Sequence, residues 1–295
     1  MDLTALADAV GTDDTVACVG GRTQWDIGGP LAAGTREVRA PAGIDVIVPE
    51  EMTVRCGAGT TVVELDAALA ERGQTVALPS WEGATVGGVL AVGRSGIRRL
   101  GYGPVRDTVL QLGVVSATGA QVKAGGPTVK NVSGYDLCRL FVGSLGTLAI
   151  LGEAILRTRP LPAASRWFSG SDVDPFELRR QLHAPTSLLW DGETTWLLLE
   201  GHPGDVEAQR RISGLAETTG PPPLPAGGRW SLPPDEIRAL HGRFVAEIGV
   251  GVVHRDESPP RPHVDVNVDS LHRRLKSHFD PTGRLNPGRD PLAAR

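Results

Sequence analysis

The sequence is poor in the features that mark several common protein classes. Its three cysteines, Cys18, Cys56 and Cys138, are scattered, and none belongs to a C-x-x-C pair. That spacing excludes a disulfide framework and any iron–sulfur or zinc site carried by this chain, so no metal is expected. The thiols read as small buried residues of a reducing compartment. No apolar run approaches the roughly 18 residues of a membrane span. The opening MDLTALADAVGTDD is acidic and has no basic region followed by an apolar one. No signal peptide is visible, and a cytoplasmic location is expected. Lysine is confined to Lys123, Lys130 and Lys276; the other basic residues are arginines, a bias that fits GC-rich coding better than a phosphate-binding face. The net charge is -4 with no block of one sign. Binding to nucleic acid or to a membrane surface therefore has no electrostatic support.

Glycine and proline are abundant instead, 38 and 23 of 295 residues, which predicts many turns and few long helices. The length allows two domains, each with its own core. Residues 2–10 carry Leu3, Leu6 and Val10 on one side and read as a short helix. A strand at Thr15 to Val19 runs directly into GGRTQWDIGG at 20–29. Successive amides in such a turn can nest an anion, with Arg22 and Thr23 as further donors. The dinucleotide fingerprint is absent: no G-x-G-x-x-G opens a helix here, and Gly57-Ala58-Gly59 is followed by Val at position 62.

Ile44 to Val48 and Thr53 to Cys56 are expected strands. Thr61 to Glu71 has a helical period through Val62, Leu65 and Leu69 and stops at Gly73. After a strand at Thr75 to Leu78 comes a second glycine region at 79–91, with Thr85 as N-cap of a short helix. Either a tight strand-to-helix turn or a set of amides facing a phosphate or flat ring accounts for it. Residues 93–107, rich in Gly and Arg, read as a functional loop, and Val109 to Lys123 as a β-hairpin. The stretch from Gly125 to Arg159 then joins a glycine turn, a short helix through Leu137, Leu140 and Phe141, a Gly143-Ser144-Leu145-Gly146 break and a strand from Thr147 to Thr158. A tight turn in an α/β core and a ligand cradle both fit this stretch alone.

Pro160-Leu161-Pro162 marks a boundary. Beyond it, strands at Ser187 to Trp190 and Thr195 to Glu200 alternate with helices at Pro175 to His183 and Gly204 to Glu217. Residues 219–228 read as an extended linker. A short helix at Pro233 to Leu240, strands at Phe244 to Val253 and Val264 to Val268, and a helix at Leu271 to Phe279 lead to FDPTGRLNPGR.

Taken in order, the GGRT loop, the AT-x-GG turn at 84–88, the Gly/Arg loop, KN-x-x-GYDL, GS-x-GTL-x-I-L and FDP-x-G-x-x-NPGR resemble the FAD-binding oxidoreductases of the vanillyl-alcohol-oxidase type. Within that type they are most similar to the FAD-binding subunits of bacterial glycolate oxidases. The similarity is dense over 15–162 and looser over 244–290. It implies an α+β fold, a two-part PCMH-type FAD-binding domain at 1–160 with pieces near 13–50 and 51–158. Residues 161–295 would form a short α/β cap or substrate region whose C-terminal tail returns to the flavin. By position, Gly20, Gly21, Arg22 and Thr23 would hold the pyrophosphate. Ala84, Thr85, Gly87 and Gly88 would run along the pyrophosphate and ribityl chain. Gly143, Gly146 and Ile150 would meet the adenosine end or flavin edge, Asn286 would sit near the ring, and Lys130-Asn131 would lie at the approach.

Family members with covalent FAD often carry His in the first glycine loop or Cys in the second. Neither is present at 20–29 or 79–91, so non-covalent FAD is expected. The resemblance further implies oxidation of glycolate or a related small 2-hydroxy acid by hydride transfer to flavin, with electrons passed to partners. Those partners would be a larger FAD-linked oxidase subunit and an iron–sulfur subunit, with any membrane association only through the complex. A non-catalytic FAD-carrying structural or electron-relay subunit, and a stand-alone flavoprotein oxidase, are the alternatives. Such chemistry needs a base for the hydroxyl proton and a cation for the carboxylate. Of the seven histidines His254 is the best placed, after the Gly-interrupted Gly249–Val253 run. A strand-end histidine without a catalytic task is the more ordinary reading of it. Arg94, Arg98, Arg99 and Arg106 are candidate carboxylate clamps, or parts of a loop that only binds FAD or a partner.

Overall fold

The computed structural model describes residues 1–127, 135–259 and 264–293. The chain divides into two compact units: Met1–Ser95, Pro104–Pro160 and Pro262–Arg295 form one, and Gly96–Gly103 with Leu161–Arg261 form the other. Both are α+β.

In the first unit, β1 (Val16–Cys18) and β2 (Arg36–Val38) make a small parallel pair. The larger sheet holds β3 (Ile44–Val48), β4 (Thr53–Gly57), β5 (Gln74–Val76), β6 (Val109–Val115), β7 (Gln121–Gly125) and β8 (Ile150–Pro160). Its order is β3-β4-β8-β6-β7, with β5 pairing the far end of β8, and every pairing is antiparallel. Strand β8 is the centre because it can be buried on both faces. Ile150 through Leu156 are all buried, and small residues at Gly152 and Ala154 leave room for neighbours. It begins later than its apolar pattern suggests, since Thr147 turns back onto Ser144 through N–H and Oγ1 donations of 3.0 and 2.7 Å.

Two helices of this unit follow their sequence signals. Val62–Ala70 opens with a reciprocal capping box: Glu64 N–H donates to Thr61 Oγ1 at 3.2 Å, and Thr61 N–H to Glu64 Oε2 at 3.0 Å. Its Val62, Leu65 and Leu69 are buried at the expected spacing, against a core that includes Leu90, Leu112 and Leu156. Truncating any one of these leucines to Ala costs about 2–5 kcal/mol. Val86–Val92 starts on Thr85, whose Oγ1 accepts from Gly88 N–H at 3.2 Å, and stops at Gly93 with φ 70°.

The tail is tied back to the start of the chain. Leu285 bridges Val16 in parallel, Val16 N–H donates to Arg284 O at 2.9 Å, and Asn286 N–H donates to Val16 O at 2.8 Å. Arg284 is 2% exposed, and its guanidinium donates to Val10 O (2.5 Å), Gly11 O (3.0 Å), Asp14 O (2.9 Å) and Ala117 O (3.0 Å). Asp280 accepts from Arg284 N–H, Leu285 N–H and Lys276 Nζ, and Lys276 also donates to Thr147 O at 2.8 Å.

The second unit is one antiparallel sheet. Its strands are β9 (Ala164–Gly170), β10 (Ser187–Trp190), β11 (Thr195–Gly201), β12 (Ala216–Thr218), β13 (Gly228–Ser231), β14 (Phe244–Glu247) and β15 (Val252–Arg255). They lie in the order β12-β9-β11-β10-β14-β15-β13. Three helices, Pro175–Gln181, Pro203–Ser213 and Pro234–Arg238, bury Leu178, Val206 and Ile237 in its core. Each begins with a proline, where the missing N–H is harmless and the fixed φ is already helical.

Three local expectations change. Phe244 to Val253 is not one strand but the hairpin β14–β15, because Gly249 and Gly251 adopt φ 82° and 81° and reverse the chain. Val264 to Val268 is not a strand: Asp265 caps a helix from Val266 to Phe279, accepting from Asn267 N–H at 2.7 Å. The Gly/Arg loop contains a helical turn, Arg99–Tyr102, and a 3-10 turn, Val105–Thr108. Among the described residues no helix is long and apolar enough to cross a membrane.

Arg284→Met removes a donor from four carbonyls, of which Val10 O keeps a longer donation from Arg36 at 3.3 Å, and is expected to lower the unfolding free energy by about 3 kcal/mol or more. Urea denaturation of the purified chain measures this; a loss under about 1 kcal/mol would mean that the tail is held by other contacts.

Candidate cofactor site

Two adjoining pockets lie within the first unit, between the 20–29 loop, the start of the Val86–Val92 helix, the 143–150 segment and the tail. One is lined by Gly20, Gly21, Arg22, Thr23, Trp25, Thr85, Gly88, Leu145, Asn286 and Arg289. The other is lined by Cys18, Gly20, Ala58, Gly59, Thr85, Gly87, Gly88, Gly146, Ile150 and Asn286. The three glycine regions and the NPGR tail thus converge on one place.

The glycines are required by close approach. A Cβ on Gly20 would run into Thr85 Oγ1, and one on Gly21 into the carbonyl of Gly83. On Gly87 it would stand 2.8 Å from Ala58 Cβ. Gly146, at φ 68°, would place a Cβ 2.7 Å from Asn286 Nδ2. That amide instead donates to Gly146 O at 2.8 Å, and Asn286 takes φ 45°, a conformation asparagine tolerates better than most residues. The tail also fixes the first loop: Asp290 N–H donates to Gly28 O at 2.8 Å, and Arg289 donates to Ile27 O at 3.1 Å and to Gly29 O.

Charge at the pocket is arginine charge. Trp25 has Arg22 4.9 Å and Arg289 4.5 Å from its ring centroid. Burial pushes the Arg289 guanidinium below its ordinary value, with Asp26 pulling the other way. Arg22 donates to both Glu37 oxygens at 2.6 Å, but both partners are nearly half exposed. Such a pair is worth about 0–1 kcal/mol, so Arg22 exchanges it for another anion at little cost. Cys18 lines the site as a thiol, because burial pushes it up to about 11.

Two expected cofactor residues lie elsewhere. Ala84 is buried beneath the turn, its carbonyl accepting from Val62 N–H at 2.8 Å. Gly143 lines a separate pocket with Leu140, Val142 and Leu148, and its N–H donates to Leu90 O. Lys130-Asn131 falls outside the described residues. Trp25, Cys18 and Arg289 were not singled out from sequence; the first two flank the GGRT loop and Arg289 ends the NPGR motif, so adjacency was the available signal.

His254 belongs to the second unit. It is 8% exposed, and its Nε2 donates to Glu247 Oε1 at 2.8 Å. Of the proposed clamps, Arg98 pairs with Glu200 at 3.2 Å, which also accepts from Tyr102 and Ser165.

A pocket built from bare backbone, with arginines at one end, suits a long ligand carrying phosphates and a flat ring. Residues 4–125 match the FAD binding domain family, and residues 229–289 match the C-terminal domain of FAD linked oxidases. Glycolate oxidase subunit GlcE of Escherichia coli (strain K12) is 30% identical over 334 aligned residues, covering 97% of this chain and 95% of its own. D-lactate dehydrogenase of Archaeoglobus fulgidus is 46% identical over 106 residues, 36% of this chain and 24% of that one. Glycolate oxidase subunit GlcD of Bacillus subtilis (strain 168) is 47% identical over 83 residues, 28% of this chain and 18% of that one. Among solved structures, an alkyldihydroxyacetonephosphate synthase has TM-score 0.59 at 19% identity, and the grass pollen allergen Phl p 4 has 0.56 at 17%. These two share the fold; the match covers 72% of this chain and 47% of each of theirs. The chain belongs to the PCMH-type FAD-linked oxidoreductases, and its cofactor is FAD.

Gly146→Val is expected to abolish FAD retention, since its side chain would displace the Asn286 amide at a positive φ. Flavin absorbance per purified chain reads this directly, and full occupancy in the variant would remove Gly146 from the site.

Proposed function

We propose that this chain is the FAD-carrying subunit of a glycolate oxidase-like complex that oxidises glycolate or a related small 2-hydroxy acid. The observation that supports it is the near full-length likeness to a protein named as a glycolate oxidase subunit, joined to a backbone-lined pocket closed by Asn286. Amides of the Gly20-Gly21 turn, Thr23 and Arg22 would hold the pyrophosphate, with Arg289 as a second cation. Thr85, Gly87 and Gly88 would lie along the ribityl chain, and Gly146, Ile150 and Asn286 would meet the ring. Bound there, FAD supplies a two-electron acceptor for the hydride of a 2-hydroxy acid.

Binding is read as non-covalent. The glycine loops offer no His or Cys, and the pocket's own thiol, Cys18, is held protonated by burial. Acid precipitation is expected to leave the yellow colour in the supernatant; colour in the pellet would overturn this. Partners are read as a larger FAD-linked subunit and an iron–sulfur protein, and the likeness to a protein named as one subunit of a glycolate oxidase supports a multi-subunit setting. A relay role without chemistry of its own is the second reading, favoured by the engagement of His254, the histidine best placed by sequence, with Glu247.

Rapid anaerobic mixing with glycolate and D-lactate separates the two. The catalytic reading expects the flavin of this chain to bleach; no bleaching until a partner is added would support the relay.

A further inference from the structure

The cations that line the cofactor pocket, Arg22 and Arg289, are compensated in different ways. Arg289 donates to carbonyls, Ile27 O and Gly29 O. Arg22 donates to a carboxylate: both oxygens of Glu37 lie 2.6 Å from its Nη2. Glu37 belongs to β2, where it pairs with Ala17 of β1, and it is not among the residues that line the pocket. A carboxylate outside the pocket thus holds a cation that faces into it.

The backbone of Arg22 is unusual as well. Its φ of 56° is left-handed, a conformation that residues with a side chain rarely adopt and that is often held at ligand contacts. The ion pair is exposed on both sides, 48% for Arg22 and 45% for Glu37, so it contributes little to the fold. Its effect falls on the pocket instead. A phosphate oxygen and a carboxylate oxygen carry the same kind of charge and seek the same guanidinium. A diphosphate approaching Arg22 meets a cation that Glu37 has already neutralised, and meets a like charge beside it.

We propose that Glu37 is a place-holder for the cofactor's diphosphate. It balances Arg22 before the diphosphate arrives and weakens the hold on it afterwards, so that flavin affinity is tuned from outside the pocket. This role rests on the FAD reading given above, in which Arg22 meets the pyrophosphate, and adds a residue that works against that contact. An orienting role, in which Glu37 aims the guanidinium at the phosphates, has the opposite sign.

The release of FAD from the full yellow chain after dilution, followed by the change in flavin fluorescence, distinguishes the two. Glu37→Gln removes the charge and keeps the shape. It is expected to slow release about threefold to fivefold, the scale of one exposed ion pair. Arg22→Gln is expected to speed release about tenfold, the scale of one charge-assisted hydrogen bond. In the double variant, Glu37→Gln is expected to add nothing to Arg22→Gln, because its effect passes through the guanidinium. Melting temperature is expected to match the parent in all three, which a merely structural ion pair would not allow. Unchanged or faster release from Glu37→Gln overturns the place-holder, as does a full effect of Glu37→Gln in the Arg22→Gln background. A flavin that never leaves the parent chain also overturns it, since there is then no exchange to assist. In each of these cases a yellow parent leaves the FAD site standing; a colourless parent overturns both.

Discussion

A guanidinium group in the interior of a protein has to be compensated, and in this chain the compensation is backbone rather than carboxylate. Arg284 draws four carbonyls around itself, two of them, Val10 O and Gly11 O, from the end of the Thr4–Val10 helix where no intrahelical donor remains. The same contact satisfies the helix end and the charge. It also fixes the height of the tail, so that Leu285 lies beside Val16 and Asn286 reaches Gly146.

A chain with only three lysines can present backbone amides as donors in their place. Glycines at 20, 21, 87 and 146 bring backbone within reach where a side chain would collide. Arg22 and Arg289 supply formal charge at one end, both within 5 Å of the Trp25 ring centroid. The adjoining pocket carries no charged side chain and is lined by glycines and aliphatic residues together with Cys18, Thr85 and Asn286.

Much of this was readable from the sequence, for reasons that can be named. Thr85 before Val-Gly-Gly, Thr61 before Val-Val-Glu and the glycine runs after short strands are local signals, and local chemistry decided them. The α+β class and the FAD site followed from the order of motifs rather than from any one. Where the reading failed, a turn or a cap outweighed a pattern. Val264 to Val268 alternates like a strand, yet Asp265 starts a helix there. Phe244 to Val253 is apolar apart from Glu247 and the two glycines, and only the φ values of Gly249 and Gly251 reveal the reversal. That reversal brings Glu247 against His254, a pairing that seven residues of separation in an extended strand would forbid. Gly143, expected at the cofactor from the GS-x-G motif, donates its N–H to Leu90 O and lines a pocket with Leu140 and Val142.

The return of Arg284 to Asp14 spans 270 positions. A ribosome therefore completes the strand-and-helix scaffold of the first unit well before the segment that finishes the pocket has been made. Pairings this distant in sequence form late, because loop closure is needed before the contact rewards it. Flavin loading would accordingly wait for the tail. A truncated product ending anywhere before residue 284 would be a scaffold with an open cradle, recognisable by its lack of colour.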